Sequence, residues 1–215
     1  MLDAIGDVEA YTGKKCIASA GHHIGDNYSV QANMMLNDEV VPAMAKAFEE
    51  NSDLPLGERV LKVLFAAQQA GGDIRGQQSA ALIVVGAKKT KKPWLDKKID
   101  LRVDDHHEPL KEIERLLKVH KAFEYLNRGD VAMEEGDMEL ALEEYGAAEE
   151  MFPDNLEMKY WKAVTLANNE RLEEALPIFK SIFSQDPNWR ELTKRLPASE
   201  LLTVSNEDLE RILEQ

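Results

Sequence analysis

Cysteine is nearly absent from this 215-residue chain. Cys16 stands alone, so no internal disulfide and no cysteine-rich metal site can form. Long apolar runs are missing too. The longest, Ala80 to Val85, falls far short of the roughly 20 residues that a membrane helix needs. No basic segment leading into an apolar one follows Met1, so no signal peptide is read. The expected setting is cytoplasmic, with export open if a leader has been lost from the start. Positive charge is scarce: 26 Lys and Arg face 40 Asp and Glu, for a net charge of −14. Residues 1–120 are close to balanced, with 16 basic against 18 acidic residues, whereas residues 121–215 carry 10 against 22. Such an acidic half repels phosphate backbones, so nucleic acid is not an expected partner, and neither is a membrane. No pattern calls for a cofactor. The one basic cluster, "KKTKKPWLDKK" from Lys88 to Lys98, lies between two strand-like runs and reads as a solvated hairpin tip.

What is present begins with a repeat. Gly129, Ala141, Tyr145 and Pro153 recur 34 residues later as Ala163, Ala175, Phe179 and Pro187. Small residues let two antiparallel helices approach closely. The aromatic fills the gap between one pair and the next, and proline ends the second helix because it has no N–H to donate. The pattern resembles the tetratricopeptide repeat. Ala148 adds a further match in the first copy. Ile182 departs from it in the second, and Tyr125 and Lys159 fill the position usually held by tryptophan. A third copy starts at Arg190 and fails at Pro197. "TVSNEDLERILEQ" then promises a last helix with Ser205 as N-cap and Asp208 as its capping-box partner.

Two repeats are fewer than the three that a stacked core needs, so they are expected to lean on another surface. The inner face should carry Phe123, Leu126, Asp130, Met133 and Glu134, then Glu157, Tyr160, Val164, Ala167 and Asn168. Phe123, Leu126, Met133, Tyr160 and Val164 are the candidate partner-binding residues. The expected partner is the chain's own first domain or a second copy, with a protein or peptide in the groove as the alternative. Leu126 and Asp130 stand where carboxylate-clamping repeats carry Lys and Asn, which argues against a terminal-carboxylate ligand.

The first half reads as strands at Val8–Tyr11 and Tyr28–Met34, then helices at Asp38–Glu50 and Leu56–Ala70. A strand follows at Ser79–Val85, apolar enough to be buried on both faces, and its partner at Lys98–Val103 turns Ile99, Leu101 and Val103 one way. A helix at Glu108–Asn127 follows, with Pro109 in its first turn. No flexible linker separates His120 from Lys121. This order favours an α+β fold.

Three blocks in order, "YTGKKCIASAGHHIGDNYSVQANMM", "LPLGERVLKVLFAAQQAGGDIRGQQSAALIVV" and "IDLRVDDHHEPLKEIERLL", resemble the bacterial domain-of-unknown-function family numbered 1028 over roughly residues 4–120. That family is similar to the N-terminal-nucleophile hydrolases. The resemblance implies a partial αββα sandwich over 1–120, followed by an all-α tetratricopeptide-like domain over 121–215. It also implies an amide-bond hydrolase of unknown substrate. The alternatives are a non-catalytic interaction module and a peptidoglycan-associated protein. In such hydrolases the first residue is the nucleophile. Removing Met1 here exposes no Ser, Thr or Cys, so this chain alone is expected to be inactive.

"GGDIRGQQS", Gly71 to Ser79, puts polar residues between a helix end and an apolar strand. One reading is a helix cap and turn in which Arg75 pairs with a carboxylate. The other places Asp73, Arg75 and Gln77 in a cleft, with Arg75 offering a fork to a substrate carboxylate or phosphate and Gly76 permitting close approach. Asn33 is either an oxyanion donor or, preferred here, a buried and satisfied amide. "RVDDHH", Arg102 to His107, reads as a helix start with acidic caps rather than a metal site. His22 and His23 read as a loop, Cys16 as a small buried hydrophobe, and Trp94, Trp161 and Trp189 as packing residues.

Overall fold

The structure, a computed structural model, describes residues 1, 3 and 5–215. The family resemblance over roughly residues 4–120 begins at Ala4, which lies outside the described residues. The chain divides into two compact units, Met1–Leu117 and Lys118–Gln215.

The first unit is α+β. Strands β1 (Gly21–Gly25) and β2 (Tyr28–Ala32) form one antiparallel pair, with Gly21 opposite Ala32. Helices α1 (Val40–Glu50) and α2 (Leu56–Gln69) follow. Strands β3 (Ala80–Val85) and β4 (Lys97–Val103) form a second antiparallel pair, Ala80 opposite Val103, and the short helix α3 (Pro93–Asp96) lies between them. Helix α4 (Pro109–Glu134) begins in this unit. A lone two-stranded ribbon is marginal in water, so each pair depends on a helix to cover it. Tyr28, Val30, Ala45 and Val63 bury together on the first pair, where Tyr28 also donates to Glu49 at 2.7 Å. Leu61, Leu82, Val103, Ile113 and Leu117 bury together on the second.

Three expectations need correction here. Val8–Tyr11 is not a strand: only Val8 takes part, in an isolated bridge. The partner of β2 is the Gly- and His-rich segment, so His22 and His23 sit on β1 opposite Gln31 and Val30 rather than in a loop. Strand β3 is buried on one face only. Leu82 turns inward, while Ile83 and Val85 are 55% and 63% exposed.

The second unit is all helix: the rest of α4, then α5 (Met138–Met151), α6 (Leu156–Asn168), α7 (Leu172–Gln185), α8 (Asn188–Arg195), a 3-10 turn at Leu196–Ser199, and α9 (Asn206–Leu213). The repeat positions do what their residue types suggest. Ala141, Ala148, Ala163 and Ala175 are fully buried. A side chain at Gly129 would bring its Cβ within 2.4 Å of the Tyr145 ring, so the glycine is the space into which that aromatic fits. Ser205 caps α9 by accepting from the Asp208 N–H at 3.1 Å, and its hydroxyl donates to the Asp208 carboxylate at 2.7 Å.

The end of the stack is closed from within the unit. Leu196, Leu202 and Ile212 join Tyr160, Val164, Phe179 and Ile182 in one core. The short C-terminal helices thus supply the third layer that two repeats lack. Tyr160 is tied to this layer, since its hydroxyl lies 2.8 Å from Thr193 Oγ1. Thr193 donates to the Trp189 carbonyl, also at 2.8 Å, so it is the tyrosine that donates to the threonine. Burial pushes the Tyr160 phenol up to about 12 from its ordinary value near 10. Below pH 10 it is neutral in both folded and unfolded chains. As pH rises from about 10 through 12 the unfolded chain ionises first, and stability falls. Thr193→Val should cost about 1–3 kcal/mol at neutral pH by orphaning the buried hydroxyl. Tyr160→Phe should remove part of the alkaline loss. Urea midpoints at pH 7 and above pH 10 check both.

Candidate functional site

The polar loop Gly71–Ser79 is a seam. It begins where α2 ends: the Gly72 N–H donates to the Ala67 carbonyl at 2.9 Å, and Gly71 and Gly72 take φ of +130° and +63°. A side chain at Gly71 would meet Asn37 and Leu36 at about 3 Å, so both conformation and space require glycine there. The loop then pairs with the segment leaving β2. Leu36 N–H donates to the Gly72 carbonyl and Ile74 N–H to the Met34 carbonyl, each at 2.9 Å, with Met35 bridging Asp73. Asn37 Nδ2 adds a bond to the Ala70 carbonyl at 2.8 Å. At its far end, the Gln78 carbonyl accepts from the His106 N–H at 2.9 Å. The loop therefore ties the first strand pair to the segment that follows the second.

Between these stitches lies an open cavity of about 720 Å³. Asn33, Asp73, Arg75 and Gln77, the four candidates from sequence, all line it. Gln31, Gln68, Gln78, Ser79 and Asp105 add to its polar wall, and Met35, Met44, Leu64, Ala67 and Leu110 form an apolar part. The Arg75 guanidinium is engaged within the loop through two of its three nitrogens. Nε reaches Asp73 Oδ1 at 3.0 Å and Nη2 reaches Oδ2 at 2.7 Å. The Arg75 backbone N–H also donates to Oδ1 at 2.8 Å. These bonds, the side-chain ones first, hold the Asp73 carboxyl down at about 2. The pair is thus ionised at any ordinary pH and is internally neutral. The loop is a turn with an Asp–Arg pair, and it also lines the cavity.

Asn33 departs from the expected buried, satisfied amide. It is exposed, and its amide makes no hydrogen bond to the described residues. The amides of Gln68, Gln77 and Gln78 are likewise unbonded there, whereas Gln31 donates to Ser29. Gln68 is easily missed because it falls on the same helical stripe as Leu61, which is buried in the core, and Leu64, which lines the cavity. Asp105 belongs to "RVDDHH", where the helix start is served by His106, whose Nδ1 accepts from the Glu108 N–H at 3.0 Å. Among the described residues no group of three or more His, Cys, Asp or Glu side chains is placed to hold a metal.

Elsewhere the structure corrects the sequence reading. Cys16 is exposed rather than buried. Trp161 and Trp189 pack on the helical core, but Trp94 is 71% exposed. Of the candidate partner-binding residues, Leu126, Tyr160 and Val164 are core residues covered by their own unit. Met133 is half-buried against that core, and Phe123 is 37% exposed. Asn168 is also occupied, donating to the Leu201 carbonyl at 3.0 Å and accepting from the Thr203 N–H at 2.8 Å. Among the described residues no helix is long and apolar enough to cross a membrane.

Comparison with known proteins gives two matches. Residues 1–113 match a family described as "Family of unknown function (DUF1028)". Residues 126–188 match the tetratricopeptide repeat. Neither the curated proteins nor the solved structures give a match.

Proposed function

The chain belongs to the family of unknown function DUF1028, and we propose from that premise that its first unit receives a small, uncharged, amide-bearing ligand in the cavity beside the Gly71–Ser79 loop. The observation that carries this reading is the convergence of unbonded carboxamides, Asn33, Gln68, Gln77 and Gln78, on one cavity. A carboxamide offers a donor and an acceptor side by side, which matches the N–H and C=O of another amide. The charges support a neutral guest. Arg75 is spent on Asp73, which leaves Asp105 as the unbalanced charge on the wall, and a negative one. An anionic ligand would meet repulsion there and no free cation. The apolar side, with Met44 and Leu64, suits an aliphatic group on the same ligand. Amide recognition is also what the N-terminal-nucleophile hydrolases, to which the family is similar, require of their sites; the cavity residues named here hold an amide, and none of them is assigned as a nucleophile. In that setting Asn33 and Gln77 orient the amide by donating to its carbonyl oxygen and accepting from its N–H.

The test is a titration of N-acetyl dipeptide amides, their free-acid counterparts and their phosphorylated counterparts into the full chain, followed by backbone amide shifts. The neutral amides should bind, with shifts at Asn33 and Gln77. Free acids and phosphates should bind at least about tenfold more weakly, a difference of roughly 1.4 kcal/mol. Asn33→Ala and Gln77→Ala should each weaken the neutral ligand. Tighter binding of the acid would overturn the reading and return Arg75 to the role of anion receptor.

The second unit acts in protein interaction, the general role of tetratricopeptide repeats, to which residues 126–188 are matched.

A further inference from the structure

Two surface patches of this chain are complementary, and neither is used by the cavity. The first is the tip between β3 and β4. It carries Lys88, Lys89, Lys91, Lys92, Lys97 and Lys98, with Asp96 as its only acid. Lys97 pairs with Asp100, but the other five have no ion-pair partner among the described residues. Beside them stand Trp94 and Leu95, 71% and 51% exposed, on the short helix α3. Tryptophan is rarely left so open, and an apolar pair ringed by cations is costly to leave in water unless something covers it.

The second patch is the corner where α4 passes into α5. Glu134, Glu135, Asp137, Glu139 and Glu143 are all exposed there, and none has a cation partner among the described residues. Asp137 is used locally, accepting from the Leu140 N–H as the cap of α5. Val131 and Leu140, 52% and 41% exposed, supply apolar surface among these carboxylates. Each patch therefore has what the other lacks: unpaired charge of one sign around exposed apolar side chains.

We propose that the lysine-rich tip of one copy of this chain docks on the acidic α4–α5 corner of a second copy. Trp94 and Leu95 meet Val131 and Leu140 at the centre of the contact, and the lysines meet the carboxylates around it. That arrangement follows the usual plan of an apolar centre with a charged rim that sets partner choice. Because the two patches differ, the contact is head-to-tail and leaves the pair with one free tip and one free corner. The strongly acidic second half, with 22 Asp and Glu against 10 Lys and Arg, argues for this occupant over an anionic lipid surface, which that half would repel.

Analytical ultracentrifugation of the full chain tests the proposal by charge exchange. The wild type should associate with rising concentration at low salt and dissociate as salt is added. K88E/K89E/K91E/K92E should weaken association by roughly tenfold or more, and E134K/E135K/E139K/E143K should do the same. Combining both sets in one chain should restore it, a result that loss of folding cannot mimic. Trp94→Ala should weaken association at all salt concentrations. The proposal fails if the wild type stays monomeric at low salt, or if either four-residue exchange leaves association intact. It also fails if crosslinks join tip and corner within a monomer. Sedimentation of a monomeric wild type with phosphatidylserine vesicles would assign the tip to a lipid surface instead.

Discussion

Phe179→Ala is expected to destabilise the helical unit by about 3–5 kcal/mol, the range for removing a large aromatic from a closed core. Phe179 is fully buried and lies edge-on to Tyr160, with ring centroids 6.0 Å apart and planes at 80°, and 5.6 Å from Phe183. Its neighbours cannot collapse into the vacated volume. Ala163 and Ala175 are too small, and Ile182 and Ile212 are held on their own helices. The whole stability of a domain is only about 5–15 kcal/mol, so the loss should be visible as a large fall in the urea midpoint. An unchanged midpoint would mean that the layer formed by α8 and α9 is not docked on the repeats.

Leu126→Asp is the second large effect. Leu126 is 4% exposed, among Ala122, Ala141, Tyr145 and Met158. Its replacement loses the packing of a buried leucine, worth about 2–5 kcal/mol, and adds a carboxyl with no partner, which costs more again unless it is protonated. Phe123→Asp, three residues earlier on the same helix, should move the midpoint by less than about 1 kcal/mol because Phe123 is partly exposed. Denaturation of the pair separates two accounts of this face. If the face were an open groove, both variants would be tolerated alike and would differ only in partner binding.

The repeat was legible in sequence because its logic is local. Gly129 and Tyr145 are sixteen positions apart on adjacent helices, and the missing side chain of one is the space for the other. Spacing and residue size carry that information without any knowledge of the rest of the chain. What covers the repeats was not legible. Leu196, Leu202 and Ile212 come from a stretch broken by Pro197 and too short to display a period, so the third layer looked like a failed copy. Strand β1 was missed because His22 and His23 are poor strand formers. Its signal lay in the Asp26-Asn27 pair between Gly25 and Tyr28, a two-residue hairpin turn with Asn27 at φ +60°. Strand β3 was misread because both of its faces are apolar, and sequence alone does not tell a covered face from an open one.

The candidate site was legible in part. Asp73, Arg75 and Gln77 stood out as polar residues before an apolar strand, and Asn33 as a polar end to another. Their meeting at one cavity depends on hydrogen bonds between backbones forty residues apart, such as Ile74 to Met34, which no side-chain pattern announces. The pairing of Arg75 with Asp73 was within reach, since a carboxylate two residues away on a tight loop is an ever-present competitor for the fork.

The seam makes occupancy of the cavity a matter of linkage. The loop that lines the cavity is also the cord between the two strand pairs, so opening it parts Leu36, Ile74 and His106 from their carbonyl partners. A guest that bonds to both Asn33 and Gln77 reaches across that cord and must be released before it can open. Exchange of these three amide protons with solvent should then slow in proportion to one plus the ratio of free ligand to its dissociation constant. Amides on α7 and α9, in the other unit, should exchange at unchanged rates. The loop would report its guest through the lifetime of its own hydrogen bonds.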